Sequence, residues 1–278
     1  MTHGIWNFLA KRAVNKEIFI GLSKIAEAAV FLLPFLFLLV RNGYGDGRWF
    51  VFVLVASGFV FLNYFFLSKA YQFADLSVAY PISRSSVLFL PFLAFIFIGE
   101  QIDAVGATSI LLILSGVLFL QLQTFSRAEL RQLTQKLVRP GIIFALLAAL
   151  MAASYTLWDK VAVSHIQPFL YFYSYTFVTA VFYVIFLNTK FEQPEIKLEW
   201  SQRKWGIIAV ALLNTFTYLL VLFSLAISKA SYVGALRQLS LVVGVMLGWQ
   251  FLGEKLSKPQ MVGVGLLICG SGLIAFAR

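Results

Sequence analysis

Four ionisable side chains lie deep inside apolar stretches of the sequence, where a charge is costly. They are Lys24, Glu27, Arg84 and Arg237. On insertion scales each would cost about 2.5–3.5 kcal/mol at the centre of a lipid bilayer. Because such residues are tolerated where they face a wet cavity or a partner of opposite charge, these four are the first candidates for binding or coupling.

Lys24 and Glu27 are three residues apart, so a helix would place them on one face within reach of each other. Two roles remain open for this pair. In one, the pair is a structural salt bridge that helps the helices to assemble. In the other, the pair opens during a working cycle and Glu27 carries a coupling proton.

Arg84 and Arg237 lie in similar settings, YPISRSS at 80–86 and ALRQLS at 235–240. A guanidinium group is permanently charged and can hold a carboxylate or a phosphate through two hydrogen bonds. We therefore expect the two arginines to flank a site for an anionic group, with a helix bend at Pro81. The alternative is that they hold carbonyl groups at helix ends.

Polar and aromatic residues near these charges complete a candidate lining. Asn214 and Tyr218 are four residues apart and share a helix face. For each aromatic residue the alternative is packing against lipid or the core, and for each asparagine it is bonding between helices. The expected substrate-binding residues are Arg84, Arg237, Tyr80, Asn63, Asn214, Tyr218, Gln238, Trp6 and Tyr155.

Three further acidic residues have simpler interpretations. Glu100 and Glu254 each follow a glycine at the end of an apolar run, which favours a capping or gating role. Asp159 and Lys160 are interpreted as a pair at the membrane interface, in contact at a helix end.

The sequence contains no arrangement typical of catalysis. It has two histidines, His3 and His165, which lie far apart, and none of the motifs HExxH, GxSxG or GxxxxGK[ST]. We therefore predict no catalytic residue, no metal site and no cofactor. The alternatives are an intramembrane enzyme acting on a lipid-linked substrate, for which Glu27 is the one buried carboxylate on offer, and a channel.

Composition determines the class of protein in which these residues must be placed. The chain has 278 residues, of which 60% are hydrophobic and 12% charged, and its mean hydropathy is +0.87. Soluble domains are about 25% charged, so this composition excludes a soluble enzyme and, despite the net charge of +10, a nucleic-acid binder. The sequence predicts an all-α, multi-pass protein of the cytoplasmic membrane, with the lipid bilayer as its partner.

Nine apolar runs separated by short polar breaks predict helices, and the fragment 5–10 is what remains of a helix before them. The predicted helices are 18–40, 49–71, 77–98, 104–122, 141–159, 168–187, 204–226, 231–252 and 260–277.

Matching residues in the two halves of the chain indicate an internal repeat. Ala70, Ala74 and Ala79 recur 156 positions later, Ser115-Gly116 recurs at the same offset, and Gly99-Glu100 recurs at an offset of 154. The predicted parts are a first five-helix repeat at 1–122, a basic connecting loop at 123–140 and a second five-helix repeat at 141–278. Convergent use of small residues in membrane helices is the alternative.

An odd number of helices per repeat makes the second repeat inverted, so ten transmembrane helices would enclose a substrate site near the midplane. The first helix is expected to be truncated. The counterpart of Gly141 at an offset of 149 falls at position −8, so roughly nine residues would be missing, through a wrongly chosen start codon or a genuinely short helix.

Loop charges predict which face is cytoplasmic. Lysine and arginine number 14 in the loops of one face and 5 on the other, which also holds the C-terminus. The basic face is expected to be cytoplasmic, with both termini pointing away from it.

Several motifs resemble a known family. The segments LGEKL at 252–256 and VGVGLLI at 262–268 are similar to the closing signature of EamA domains in the drug/metabolite transporter superfamily. IGEQI at 98–102 is a weaker copy, and HGIWN at 3–7 resembles the end of the first helix in a bacterial branch. The resemblance implies a ten-helix carrier that works by alternating access, often an exporter of small metabolites. It also implies both termini in the cytoplasm, which conflicts with the orientation that the loop charges predict.

Residues and resemblance together predict a secondary transporter, an exporter, of a small anionic or zwitterionic metabolite. Its partner is that small-molecule substrate, and nucleic acid is not expected. The sequence leaves the substrate, the coupling ion and the formation of a homodimer open.

Overall fold

The computed structural model describes residues 15–44, 47–74, 79, 82–126, 140–252 and 256–277. Every regular element within these ranges is an α-helix, which confirms the predicted fold class. The helices are α1 (Lys16–Val30), α2 (Leu32–Asn42), α3 (Trp49–Phe73), α4 (Ser86–Ile98), α5 (Ala104–Phe119), α6 (Pro140–Ala162), α7 (Pro168–Lys190), α8 (Gln193–Ile227), α9 (Ala230–Leu236), α10 (Leu239–Leu252) and α11 (Lys258–Ile274).

The helices are those of a protein that crosses a membrane several times. Four of the described helices, α3, α6, α7 and α8, are long and apolar enough to span a bilayer, and the bent pair α1–α2 would make a fifth. Shorter apolar helices are α4, α5, α11 and the segment Ala230–Met246. Each of the nine predicted apolar runs coincides with helical residues.

Two predicted helices are each two segments in the structure: 231–252 is divided between α9 and α10, and 18–40 between α1 and α2. α1 and α2 meet at Phe31 with a bend of 49°. Pro34 has no backbone N–H to donate to the carbonyl of Val30 four residues earlier, which explains why the hydrogen-bond ladder breaks there. The carbonyl of Phe31 accepts from Phe35 at 3.1 Å, so a new helix begins immediately.

α8 begins at Gln193, about three turns before the predicted apolar run 204–226, and it continues for 35 residues. At 1.5 Å per residue the helix is about 52 Å long, which exceeds the roughly 30 Å of a hydrocarbon core. Its first turns carry Glu195, Lys197 and Glu199, so they belong to a polar extension rather than to the span.

The chain divides into two compact units, each built from parts of both sequence halves. One unit consists mainly of Lys69–Ser154 and Ser228–Arg278, and here it is called the arginine unit because it holds Arg84 and Arg237. The other consists of Thr2–Ser68 and Tyr155–Ile227, and it is called the carboxylate unit because it holds Glu27 and Asp159.

In the carboxylate unit, α1 packs against α7 and α8. A Cβ added to Gly21 of α1 would lie 2.9 Å from the Tyr183 ring and 3.0 Å from Leu187, so the absent side chain lets α7 approach closely. The Trp158 indole donates to the carbonyl of Phe52 at 2.9 Å, which ties α6 to α3.

In the arginine unit, α5 and α11 pack along a seam of small residues. A Cβ on Gly116 would lie 2.8 Å from the carbonyl oxygen of Gly263, and a Cβ on Gly270 would lie 2.9 Å from that of Ser109. Backbones at this distance leave no room for a side chain. Close packing of this kind is the use that membrane helices make of small residues.

The Gly99-Glu100 pair both ends one helix and caps another. Gly99 adopts the left-handed conformation at φ +64, and the N–H of Glu100 returns to the carbonyl of Ala94 at 3.1 Å, which closes α4. The Glu100 carboxylate accepts the N–H groups of Ala230 at 2.8 Å and Ser231 at 3.0 Å at the start of α9. These contacts agree with the predicted capping role of Glu100, whereas Glu254 lies outside the described residues.

Candidate functional site

The carboxylate unit contains the ion pair that the spacing of Lys24 and Glu27 predicts. Lys24 Nζ lies 2.7 Å from Glu27 Oε2, and the two side chains are 4% and 1% exposed. Both residues lie on α1, one turn apart. The ammonium group also lies 4.5 Å from the centroid of the Tyr64 ring on α3, a cation–π contact that supports its charge.

α8 supplies the remaining donors to Glu27. Asn214 Nδ2 and Thr215 Oγ1 each donate to Glu27 Oε1 at 2.8 Å. Asn214 Oδ1 in turn accepts from the Tyr64 hydroxyl at 3.3 Å. Both oxygens of the carboxylate are therefore occupied, and Glu27 connects α1 with α8, while Asn214 extends the network to Tyr64 on α3.

Asp159 is not the interfacial residue that the sequence suggested. Its side chain is 0% exposed. The Tyr171 hydroxyl of α7 donates to Asp159 Oδ1 at 2.6 Å, and the Tyr218 hydroxyl of α8 donates to Asp159 Oδ2. The neighbouring Lys160 donates to the carbonyl of Leu225 on α8 at 2.7 Å. Asp159 is thus a buried carboxylate that joins three helices.

The structure brings several of the predicted lining residues together around these two carboxylates. Tyr155 packs edge-on against Tyr218, with ring centroids 5.8 Å apart. Asn214 and Tyr218, one turn apart on α8, bond to different carboxylates. Asn63 is buried on α3 beside Tyr64. The predicted Trp6 and Tyr80 lie outside the described residues.

Arg84 belongs to the arginine unit, in a turn directly before α4. Its Nη2 donates to Ser240 Oγ at 3.1 Å and, more weakly, to the carbonyl of Arg237 at 3.5 Å. The buried Nε of Arg84 has no hydrogen-bond partner in the described part of the chain. The guanidinium group therefore keeps an unused donor, and the two acceptors that it has are neutral.

Arg237 and Gln238 form the break between α9 and α10. Gln238 is 1% exposed, and its Nε2 donates to the carbonyl of Arg84 at 2.8 Å. The turn at Arg84 and the break at Arg237 and Gln238 are therefore joined by two hydrogen bonds, each from a side chain of one to a backbone carbonyl of the other. The bond from Arg84 to the Arg237 carbonyl matches the carbonyl-holding role left as the alternative for Arg84, and among the described residues it leaves the Arg84 Nε without an acceptor.

Sequence reasoning did not single out Thr215, Tyr171 or Ser240. The i, i+4 spacing of Asn214 and Tyr218 identified the correct face of α8, and Thr215 is next to it. No local pattern in the sequence indicates Tyr171, because its contact with Asp159 depends on how α6 and α7 meet.

Apolar spanning helices with buried, hydrogen-bonded charges define the class of this protein, a polytopic α-helical membrane protein with polar centres inside its bundle. A model of the EamA-like transporter family matches residues 1–122 and 139–276. The chain belongs to the EamA-like transporter family, and the protein is a membrane transporter.

A curated relative is also a transporter, and a solved structure shares the fold. The uncharacterized transporter YxxF of Bacillus subtilis (strain 168) is 25% identical over 227 residues, which are 81% of this chain and 70% of that protein. A protein of known crystal structure, 15% identical, superposes with a TM-score of 0.72 over 98% of this chain and 94% of its own. The latter similarity concerns the fold alone.

Proposed function

We propose that this protein is a secondary transporter that exports a small anionic or zwitterionic metabolite across the cytoplasmic membrane by alternating access. The observation that carries the proposal is the state of Arg84. Its guanidinium group lies between helical segments and bonds to one hydroxyl and one carbonyl, and its buried Nε has no partner among the residues that the structure describes.

A permanent cation in apolar surroundings is stabilised by an anion that can occupy it. Guanidinium groups cannot lose their charge and present paired N–H donors that match carboxylates and phosphates. Arg237 adds a second permanent cation at the break whose carbonyl accepts from Arg84. A carboxylate or phosphate group on the substrate would supply the missing acceptor.

The substrate is to be found by comparing metabolites in cells that produce the protein with cells that lack it. We expect a carboxylate, phosphate or amino acid to accumulate inside the cells that lack it. A cation or an uncharged metabolite in that position would refute the anionic part of the proposal.

The metabolite found is then tested for counterflow with purified protein in proteoliposomes. Exchange of labelled for unlabelled substrate requires a carrier. Chemical conversion of the substrate would support the intramembrane enzyme instead, and flux without stimulation from the opposite side would support a channel.

Arg84→Ala tests the role assigned to the guanidinium group. A charge-assisted hydrogen bond contributes about 1.5–3 kcal/mol, so we expect the apparent affinity to fall roughly 10- to 150-fold. Arg84→Lys, which keeps the charge but not the paired donors, should fall between. Arg41→Ala, at an exposed position near the end of α2, is the matched control. An Arg84→Ala protein that is present in the membrane and transports like the parent would refute the anion site.

A further inference from the structure

Asp159 is a buried carboxylate that has no role in the substrate binding proposed for Arg84. Its two oxygens accept from two phenolic hydroxyls, one on α7 and one on α8. No part of its side chain is exposed. Aromatic rings surround these contacts: Tyr175 lies 5.2 Å from Tyr171, and Phe172 lies 6.1 Å from Tyr218, measured between ring centroids.

Protonation would change this hydrogen-bond pattern. An ionised carboxylate only accepts, so both tyrosine hydroxyls can donate to Asp159 at once. A proton bound to Oδ2 makes that oxygen a donor, and the Tyr218 hydroxyl must then accept from it or turn away. The bond between α6 and α8 therefore depends on whether Asp159 carries a proton.

We propose that Asp159 binds and releases the coupling proton of the transport cycle, and that Tyr218 transmits its protonation to α8. This inference rests on the proposed function, since a coupling proton presupposes secondary transport. The ligand of the site is a proton, which reaches Oδ2 from one side of the membrane and leaves to the other. The carboxylate charge is lost on binding and restored on release.

α8 is hydrogen-bonded to both buried carboxylates, so a change at Asp159 alters how this helix is held. Tyr218 bonds to Asp159, and one turn earlier Asn214 and Thr215 bond to Glu27 on α1. Both buried carboxylates of this network therefore hold the same helix at adjacent turns. Release of the Tyr218 contact would remove the bond between α8 and Asp159 and leave the bonds of Asn214 and Thr215 to Glu27 one turn earlier, which permits a small rotation or shift of α8.

Asp159 is better suited to the proton than Glu27, although the sequence offered Glu27 first. Glu27 balances the buried ammonium group of Lys24 at 2.7 Å. Neutralising Glu27 would leave that cation without its carboxylate in an apolar site, which is strongly unfavourable. The hydroxyl groups of Tyr171 and Tyr218 carry no charge, and a hydroxyl can act as donor or acceptor as the state of Asp159 requires.

The groups in direct contact with Asp159 come from α7 and α8. The hydrogen-bond network on α8 continues to Tyr64 on α3 and to the Lys24–Glu27 pair on α1. The titratable residues around the network are Tyr155 and Lys160 on α6, Tyr171 and Tyr175 on α7, Tyr218 on α8, Tyr64 on α3, and Lys24 and Glu27 on α1.

Infrared difference spectroscopy tests protonation without a substrate. The protein in lipid nanodiscs is titrated over roughly pH 4 to 10, a range in which buried carboxyl groups lose their proton. We expect the C=O stretching band of a protonated carboxylic acid to appear in the parent, to be absent in Asp159→Asn, and to persist in Glu27→Gln. A titrating band that survives in Asp159→Asn and disappears in Glu27→Gln would assign the proton to Glu27 and overturn the proposal.

Tyr218→Phe keeps the test decisive if Asp159→Asn fails to insert. It retains Asp159 and the volume of the ring but removes one donor to the carboxylate. We expect the carboxyl band to remain and the pH midpoint of its titration to move. An unchanged midpoint would show that the titrating group is not Asp159.

Transport measurements separate this proposal from the proposed function. With the metabolite identified by counterflow, an imposed pH gradient should drive its accumulation by the parent. Asp159→Asn should retain counterflow exchange and lose the response to the gradient. A variant that still responds to the gradient overturns the role of Asp159, whereas a parent without counterflow refutes secondary transport itself.

Discussion

Replacing Glu27 by glutamine isolates the contribution of the buried charge. The amide retains an oxygen for Asn214 and Thr215, which donate to Glu27 Oε1, so the main loss is the ion pair with Lys24. Removing one partner of a buried pair typically costs about 3–5 kcal/mol, because the other charge is left uncompensated. At roughly 2–4 °C per kcal/mol for a chain of comparable length, the melting temperature should fall by about 6–20 °C.

Thermal unfolding of the purified variants in the same detergent measures this effect. The melting temperature of Lys24→Met should fall no further than that of Glu27→Gln. The double variant should recover most of the loss, because no unpaired charge remains. Glu192→Gln, which changes an exposed carboxylate to the same amide, should melt like the parent. If Glu27→Gln melts within about 2 °C of the parent, or if the two single losses add in the double variant, the ion pair does not stabilise the bundle as argued.

Two further predictions concern packing and capping in the arginine unit. Gly116→Ala places a Cβ 2.8 Å from the Gly263 carbonyl oxygen, so it should lower the free energy of unfolding by about 1–3 kcal/mol. Gly265→Ala is the control: nothing lies within 4 Å of its Cβ, and the free energy of unfolding should change by less than about 0.5 kcal/mol. Glu100→Ala removes the acceptor of two N–H groups at the start of α9, so the protein should lose about 0.5–2 kcal/mol, and equal melting of Glu100→Ala and the parent would contradict the capping role.

The positions of the helices could be predicted because apolar runs are a property of the sequence alone. Their limits were less predictable where polar residues continue a helix beyond the apolar run. α8 begins at Gln193, whereas the apolar run begins at 204, because the first turns of the helix carry charged residues that hydropathy excludes. The break between α1 and α2 follows from Pro34, which an apolar average does not detect.

Contacts along one helix could also be predicted, and contacts between helices could not. The Lys24–Glu27 pair depends on three-residue spacing, which the sequence contains. The bonds from Tyr171 and Tyr218 to Asp159 depend on how three helices meet, and no local pattern encodes that. Asp159 was placed at an interface because it stands near the end of an apolar run, yet the surrounding tyrosines bury it completely.

The motif that carries the family resemblance has a structural role at the position where it is described. Gly99 ends α4 in a conformation that favours glycine, and the Glu100 carboxylate accepts two buried N–H groups at the start of α9. Neither contact requires a substrate, so a protein can keep this motif while changing what it carries. Residues that determine substrate specificity and ion coupling should instead be buried polar residues that can still form or exchange a hydrogen bond. Arg84, whose Nε has no partner among the described residues, and Asp159, which accepts from two neutral hydroxyls, meet that condition.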